Sequence, residues 1–184
     1  MASKTSRQII WLLVSIITLS SLFALLLPTK LLRLLPVISS NVSLQFAYDE
    51  YAFLSCWTMP KYRAQANELL PIWFTNWGPW GTKVVFGSFT LSLASGIANA
   101  VTSGARSVFL FYLAGTLFAA GHLLIYGPKA IDLLARIRRN DANASSTASL
   151  ELWLEMHLTR SLVVDLPAVG CFIAALLLAM ENVI

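Results

Sequence analysis

The chain has 184 residues, of which 57% are hydrophobic and only 12% charged, with a formal net charge of +4 and a mean hydropathy of +0.70. So apolar a composition leaves no room for a separate soluble domain. The surplus of Lys and Arg does not mark a nucleic-acid binder, because these residues flank apolar runs, where they act as orientation signals in membrane proteins. The two cysteines, Cys56 and Cys171, lie in apolar surroundings without CxxC spacing. They read as small packed hydrophobes rather than as a disulfide framework or a metal site.

Apolar runs extend from Ile9 to Leu27, from Val84 to Tyr126 and from Ser161 to Met180. A bilayer core needs roughly 20 apolar residues per helix. The first run follows Lys4 and Arg7 and resembles a secretion signal. Pro28, Lys30 and Arg33 follow it with no small-residue cleavage site, so it reads as an uncleaved span or signal anchor. The segment from Pro28 to Pro36 reads as a basic, proline-bracketed linker. The stretch from Leu44 to Met59 carries Phe46, Tyr48, Tyr51, Phe53 and Trp57, with Asp49 and Glu50 near its middle. If it crosses, most basic clusters fall on one side, as the positive-inside rule requires.

Pro60 to Lys83 is polar and aromatic, with tryptophans that suit a water–lipid boundary, and reads as a loop. Val84 to Val101 contains Gly87, Ser88, Ser92, Ser95, Gly96 and Asn99, a pattern that favours close helix packing in lipid. The middle run breaks at Ser103, Gly104 and Arg106, which implies a tight turn. The next span, Ser107 to Tyr126, is expected to stop at Gly127-Pro128. Lys129 to Ser149 reads as a basic loop whose second half, residues 140–149, is mobile. The last helix starts near Leu150 as an amphipathic turn and becomes apolar at Ser161.

The expected fold is therefore all-α: a polytopic transmembrane helical bundle of five spans, with the N-terminus inside and the C-terminus outside. Residues 1–43 form an N-terminal span and linker, and residues 44–184 a four-helix domain. The expected location is the endoplasmic reticulum or another secretory-pathway membrane. Asn41, in an Asn-Val-Ser triplet, is then lumenal and a candidate glycan acceptor.

Polar groups inside such a bundle are costly and mark function. His122 and His157 fall at one membrane level, at facing ends of consecutive helices. Trp153, His157 and Arg160 share a helical face at i, i+4 and i+7. Asp165 lies about 12 Å beyond His157 along the helix, at 1.5 Å per residue, close enough in angle to line the same cavity. With Asp49 and Glu50, these residues suggest an internal polar pocket in which histidine moves protons and a carboxyl group acts as acid or base. Two histidines alone make a poor metal site, and no metal is expected.

Several pieces resemble a known family: Pro60, Trp73, Tyr126-Gly127-Pro128, and Trp153 followed by His157 and Arg160 in a Trp-x-x-x-His-x-x-Arg pattern. Together they look like the small fungal membrane family that includes the anthrone oxygenases of polyketide biosynthesis. The resemblance covers roughly residues 44–180 and implies a four-helix core acting on a hydrophobic polyketide- or terpenoid-like molecule. It implies a base (His122 or His157), an oxyanion stabiliser (Arg160), and a dry pocket walled by Trp57, Trp73, Trp77 and Trp153. Asp165 joins the catalytic group; Tyr126, Asp49 and Glu50 join the substrate contacts. No cofactor is required, with dioxygen as co-substrate, and the same groups suit a proton-transfer isomerisation or cyclisation. Membrane lipid and other pathway enzymes are the expected partners. A non-catalytic scaffold is the competing reading; it requires polar residues that satisfy one another and no cavity.

Overall fold

The computed structural model describes residues 4–139 and 145–181, all of them in helices or short connections, with no strand among them. Helix α1 spans Lys4–Leu26 and α2 spans Thr29–Ser55. Two 3₁₀ turns, Cys56–Thr58 and Pro60–Tyr62, lead into α3, Arg63–Thr102. A tight turn then starts α4, Arg106–Gly121. A π-turn at His122–Tyr126 joins α4 to α5, Gly127–Arg139. Helix α6, Ser146–Arg160, passes through a second π-turn, Ser161–Asp165, into α7, Leu166–Glu181.

Three expected loops are helical. The Pro28–Pro36 linker is the start of α2, with Pro36 buried inside the helix. A proline at this position leaves the carbonyl four residues back without its helical donor. That carbonyl belongs to Leu32, and Asn99 of α3 donates to it at 2.7 Å. A neighbouring helix therefore supplies the bond the proline removes, as apolar surroundings require. The Pro60–Lys83 loop is the first half of the 40-residue α3, which runs straight through Pro71 and Pro79. Ala66, Leu70 and Phe74 are buried at four-residue spacing, and this stripe makes a helix of a segment rich in Pro, Gly and Trp.

The Lys129–Ser149 loop is mostly α5 and the first turn of α6. Residues 140–144 of the stretch expected to be mobile lie outside the described residues. Ser145 caps α6 by accepting from the Ala148 N–H at 3.2 Å. Gly127-Pro128 does not stop the chain, because the π-turn before it widens the helix where the proline ring would otherwise strike a carbonyl. Pro167 stands two residues beyond the second π-turn in the same way.

Helix α1 packs on α3, α2 on α3 and α7, α4 on α7, and α5 on α6. Three helices, 60–102, 106–139 and 146–181, are long and apolar enough to cross a membrane, and Ile10–Leu26 is a shorter apolar one. At 1.5 Å per residue α3 is about 60 Å long, twice the roughly 30 Å of a bilayer core. Arg33, in the expected linker, donates from Nη1 to the Ala179 carbonyl at 3.0 Å. That bond satisfies an orphan acceptor near the end of α7. Asn41 lies within α2, its amide bonded to Val37, and Ser43 of the triplet is buried against Ser88. The candidate acceptor thus sits within a helix. Cys56 is exposed and Cys171 half-buried, so only the second is packed.

The interior has two apolar clusters. One gathers Phe89, Leu93, Tyr112, Phe172 and the small residues around them. The other gathers Leu54, Leu70, Phe74, Ile137, Leu150 and Trp153 where α2, α3, α5 and α6 meet. The polar residues lie between the two.

Candidate functional site

The two π-turns place the site. His122 is the first residue of one, and Asp165 is the last residue of the other. A π-turn carries one residue more than an α-turn, and it re-aims the side chains beside it. Here the result is a buried pair: His122 Nδ1 lies 2.8 Å from Asp165 Oδ1. An ionised carboxylate only accepts, so opposite that form His122 donates from Nδ1–H, and its Nε2 has no hydrogen-bond partner among the described residues. The His122 ring is packed against Phe89 at 3.8 Å between centroids.

Arg160 lies beside this pair, its Nε 3.4 Å from Asp165 Oδ2. Its Nη2 donates to His157 Nδ1 at 2.7 Å. His157 Nε2 lies 2.8 Å from the Ala47 carbonyl of α2. A guanidinium only donates and a carbonyl only accepts. His157 must therefore carry its proton on Nε2 and offer its single lone pair to Arg160. Both ring nitrogens are occupied and the ring is fully buried, stacked on Trp153 at 4.4 Å. Glu50 of α2 completes the group, with Oε2 3.9 Å from His157 Nε2.

A cavity of about 530 Å³ opens against this cluster. Glu50, His122 and Arg160 form its polar side, and Trp77, Phe74, Val85, Phe86, Leu123 and Trp153 form much of its apolar wall. Its lining continues to Arg138 near the end of α5. The size and the few convergent polar groups suit a hydrophobic small molecule. A second hollow of about 360 Å³ lies beside His157, between α2 and the α6–α7 rod, lined by residues such as Leu44, Tyr48, Leu158 and Leu162.

The structure brings together His122, His157, Arg160, Asp165 and Glu50, with Trp77 and Trp153 in the cavity wall. Asp165 lies behind His122 and Arg160 and does not line the cavity. Asp49 turns away and accepts from Gln45 at 3.0 Å; neighbours in a helix differ by about 100°, so Asp49 and Glu50 cannot face the same way. Trp73 supports the wall from behind, stacked on Trp77 at 4.9 Å. Trp57 and Tyr126 pack against the aromatic cluster without lining the cavity. Among the described residues no three His, Cys, Asp or Glu side chains are grouped to hold a metal ion. Sequence reasoning missed the π-turns, although a proline two residues past each one was a signal. It also missed Phe89 under His122 and Gly78 and Pro79 in the wall, all in segments read for packing or as loop.

No family model matches the chain, and no solved structure does. Three fungal proteins do. The chain is 37% identical over 158 residues to Epoxidase pydX of an Acremonium species, across 84% of this chain and 97% of that protein. It is 38% identical to Probable epoxidase scpX of Mollisia scopiformis, across 82% and 97%, and 34% identical to Epoxidase gkaX of Penicillium citrinum, across 82% and 96%. The fungal and oxidative character implied by the resemblance is that of these relatives, whose names give epoxidation and not anthrone oxidation. The chain belongs to the family of these fungal epoxidases.

Proposed function

We propose that this member of the fungal epoxidase family is a membrane-embedded oxidative enzyme of secondary metabolism. It adds one oxygen atom of dioxygen across a carbon–carbon double bond of a hydrophobic, polyketide- or terpenoid-like molecule. The observation that carries this reading is the cavity itself: apolar walls converge on His122, Glu50 and Arg160. A scaffold would have no use for it, and polar residues that merely satisfied one another would not line it.

The roles follow from the hydrogen bonds. His122 is the base: Asp165 holds its Nδ1–H, and Nε2 has no hydrogen-bond partner among the described residues. Arg160 stabilises the oxyanion that forms when the substrate loses its proton. His157 positions Arg160 and is not a base, because its lone pair is already used. Glu50, on the same polar side of the cavity, is the acid. The electron-rich anion adds dioxygen to give a carbon-bound peroxide. Loss of a second proton makes the neighbouring carbon a nucleophile; it attacks the nearer peroxide oxygen, the O–O bond breaks as the epoxide closes, and the outer oxygen leaves with the two substrate protons as water. The balance is SH2 + O2 → SO + H2O, with the substrate supplying the electrons. Anthrone oxidation has the same balance, so one site chemistry accommodates both the activity in the relatives' names and the one the resemblance implied. Neither needs a cofactor.

The test is turnover under ¹⁸O-labelled dioxygen, using membranes from a host that makes the pathway substrate. Expected is one labelled oxygen per product, without added nicotinamide or flavin, and loss of product in His122→Ala at normal protein level. Product without label would defeat the oxygenase reading. Strict dependence on an added reductant would defeat the cofactor-free one.

A further inference from the structure

Helix α5 is two-sided, and its cavity side ends in a charge. Gly127, Ala130, Ile131, Leu134 and Arg138 line the cavity. They follow one another at steps of three and four residues, so at about 100° per residue they share one stripe of the helix. The other charged residues of α5, Lys129, Asp132, Arg136 and Arg139, fall on the opposite side by the same geometry. Two of these neutralise each other, with Arg136 Nη2 2.8 Å from Asp132 Oδ2. Among the described residues no ion pair includes Arg138. Side chains on a helix lean toward its N-terminus, and Arg138 does so: its Nε donates to the Leu134 carbonyl at 3.3 Å. The guanidinium is thereby folded back over a lining residue one turn earlier. The stripe thus runs from small and apolar side chains to a cation. Glu50, His122 and Arg160 lie toward its other end, where His122 precedes Gly127 in the π-turn. Gly127 to Arg138 is about 16 Å of helix, and folding back by one turn leaves about 10 Å.

We infer that Arg138 is a specificity-determining residue that binds an anionic oxygen group, such as a carboxylate, on the substrate. The substrate class is then an elongated apolar unsaturated molecule with its acidic group about 10 Å from the reacting bond. The inference rests on the cavity being the substrate site. A guanidinium only donates, and its planar fork matches a carboxylate. With the anion held at the outer end, the apolar body lies along the α5 stripe and the double bond reaches the polar cluster. Arg138 therefore acts on binding and on which end of the molecule enters first. Proton transfer belongs to His122.

The experiment uses the full chain in phosphatidylcholine nanodiscs, titrated with stilbene-4-carboxylate and with its methyl ester. Binding is read from the quenching of tryptophan emission, with empty nanodiscs subtracted. The two probes share one skeleton and differ in charge, and comparing protein variants cancels their different partition into lipid. R138Q is expected to weaken the acid about tenfold and to leave the ester unchanged. R136Q removes the same charge from the opposite side of α5 and is expected to change neither. Should R138Q not fold, R138K decides: it keeps the charge without the fork and should weaken the acid severalfold. The titrations are repeated with phosphatidylserine in the nanodiscs, where the dependence of the acid on Arg138 should persist. The inference is overturned if R136Q weakens the acid as much as R138Q, which would mean a general surface field. It is also overturned if the Arg138 variants affect both probes alike, if neither probe binds, or if phosphatidylserine abolishes the dependence, which would make a lipid headgroup the partner. Turnover of wild type and His122→Ala, measured separately, shows whether the oxidation reading stands when this one falls.

Discussion

Around Phe172, the helices close on one another through glycine. A Cβ on Gly115 would lie 2.8 Å from the Phe172 ring, and one on Gly96 would meet both that ring and the Thr116 hydroxyl. Around Trp153, the glycines face space or a single indole. Gly78 has nothing within 4 Å of where a Cβ would stand, and Gly81 meets only the far edge of Trp77, at 2.7 Å. In the first half, small residues let backbones approach and van der Waals contact holds the helices together, the usual solution in lipid. In the second half, flat rings hold the helices apart. Trp73, Trp77 and Phe46 stack nearly parallel, with interplanar angles of 14° and 11°. A stack of slabs fills its own thickness and leaves a gap at its edge, and the cavity occupies that gap. One bundle is thus sealed at one end and propped open at the other, with the charged cluster at the seam.

Breaking the seam is expected to have the largest effect. Asp165→Ala removes the shared partner of His122 and Arg160, and an uncompensated buried guanidinium costs about 3–5 kcal/mol. Thermal unfolding in detergent should show most of the folded population lost. His122→Gln keeps a polar group of similar size and loses the base. Turnover should fall about 10²- to 10⁴-fold while unfolding stays near wild type, and unchanged turnover would remove His122 from the mechanism. The contrast between the halves is sharpened by one substitution made twice. Gly115→Ala should cost about 1–3 kcal/mol through overpacking. Gly78→Ala should be neutral or gain up to about 1 kcal/mol through helix propensity. Equal effects would mean that the halves do not differ as described. Gly81→Ala is read best in binding, because it pushes the Trp77 ring, part of the cavity wall, off its seat. Overpacking should cost about 1–3 kcal/mol while KM rises severalfold.

Much of the sealed half was legible in the sequence. Length and apolarity mark the helices, and Gly96, Ser92 and Ser95 announce close packing on α3. The propped half was less so, because its residues imitate loop punctuation. Pro71, Gly78, Pro79 and Gly81 stop helices in water. Here a proline costs one backbone bond that neighbours or local geometry replace, as Asn99 shows for Leu32. The charges of Lys129 to Arg139 likewise read as a loop, although Leu133 and Ile137 at four-residue spacing bury one face of α5. In the site, the residue types were visible and so was the shared face of Trp153, His157 and Arg160. The division of labour was not. Which histidine keeps a free lone pair depends on Ala47, a residue with no side-chain chemistry, whose carbonyl accepts the hydrogen bond from His157 Nε2–H. Asp49 and Glu50 were equivalent by composition and are separated by helical angle alone.

The paired π-turns have a consequence for how this chain tolerates insertions and deletions. Each holds one surplus residue, so each can be gained or lost by a single codon insertion or deletion, and each such event swings the downstream helix by about 100°. Because His122 belongs to one turn and Asp165 to the other, an indel in either would uncouple the dyad without altering any residue of it. When relatives are aligned, the position of gaps between Gly121 and Pro128, and between Arg160 and Pro167, therefore carries information that residue identity does not. A lineage can retune this site by moving a gap.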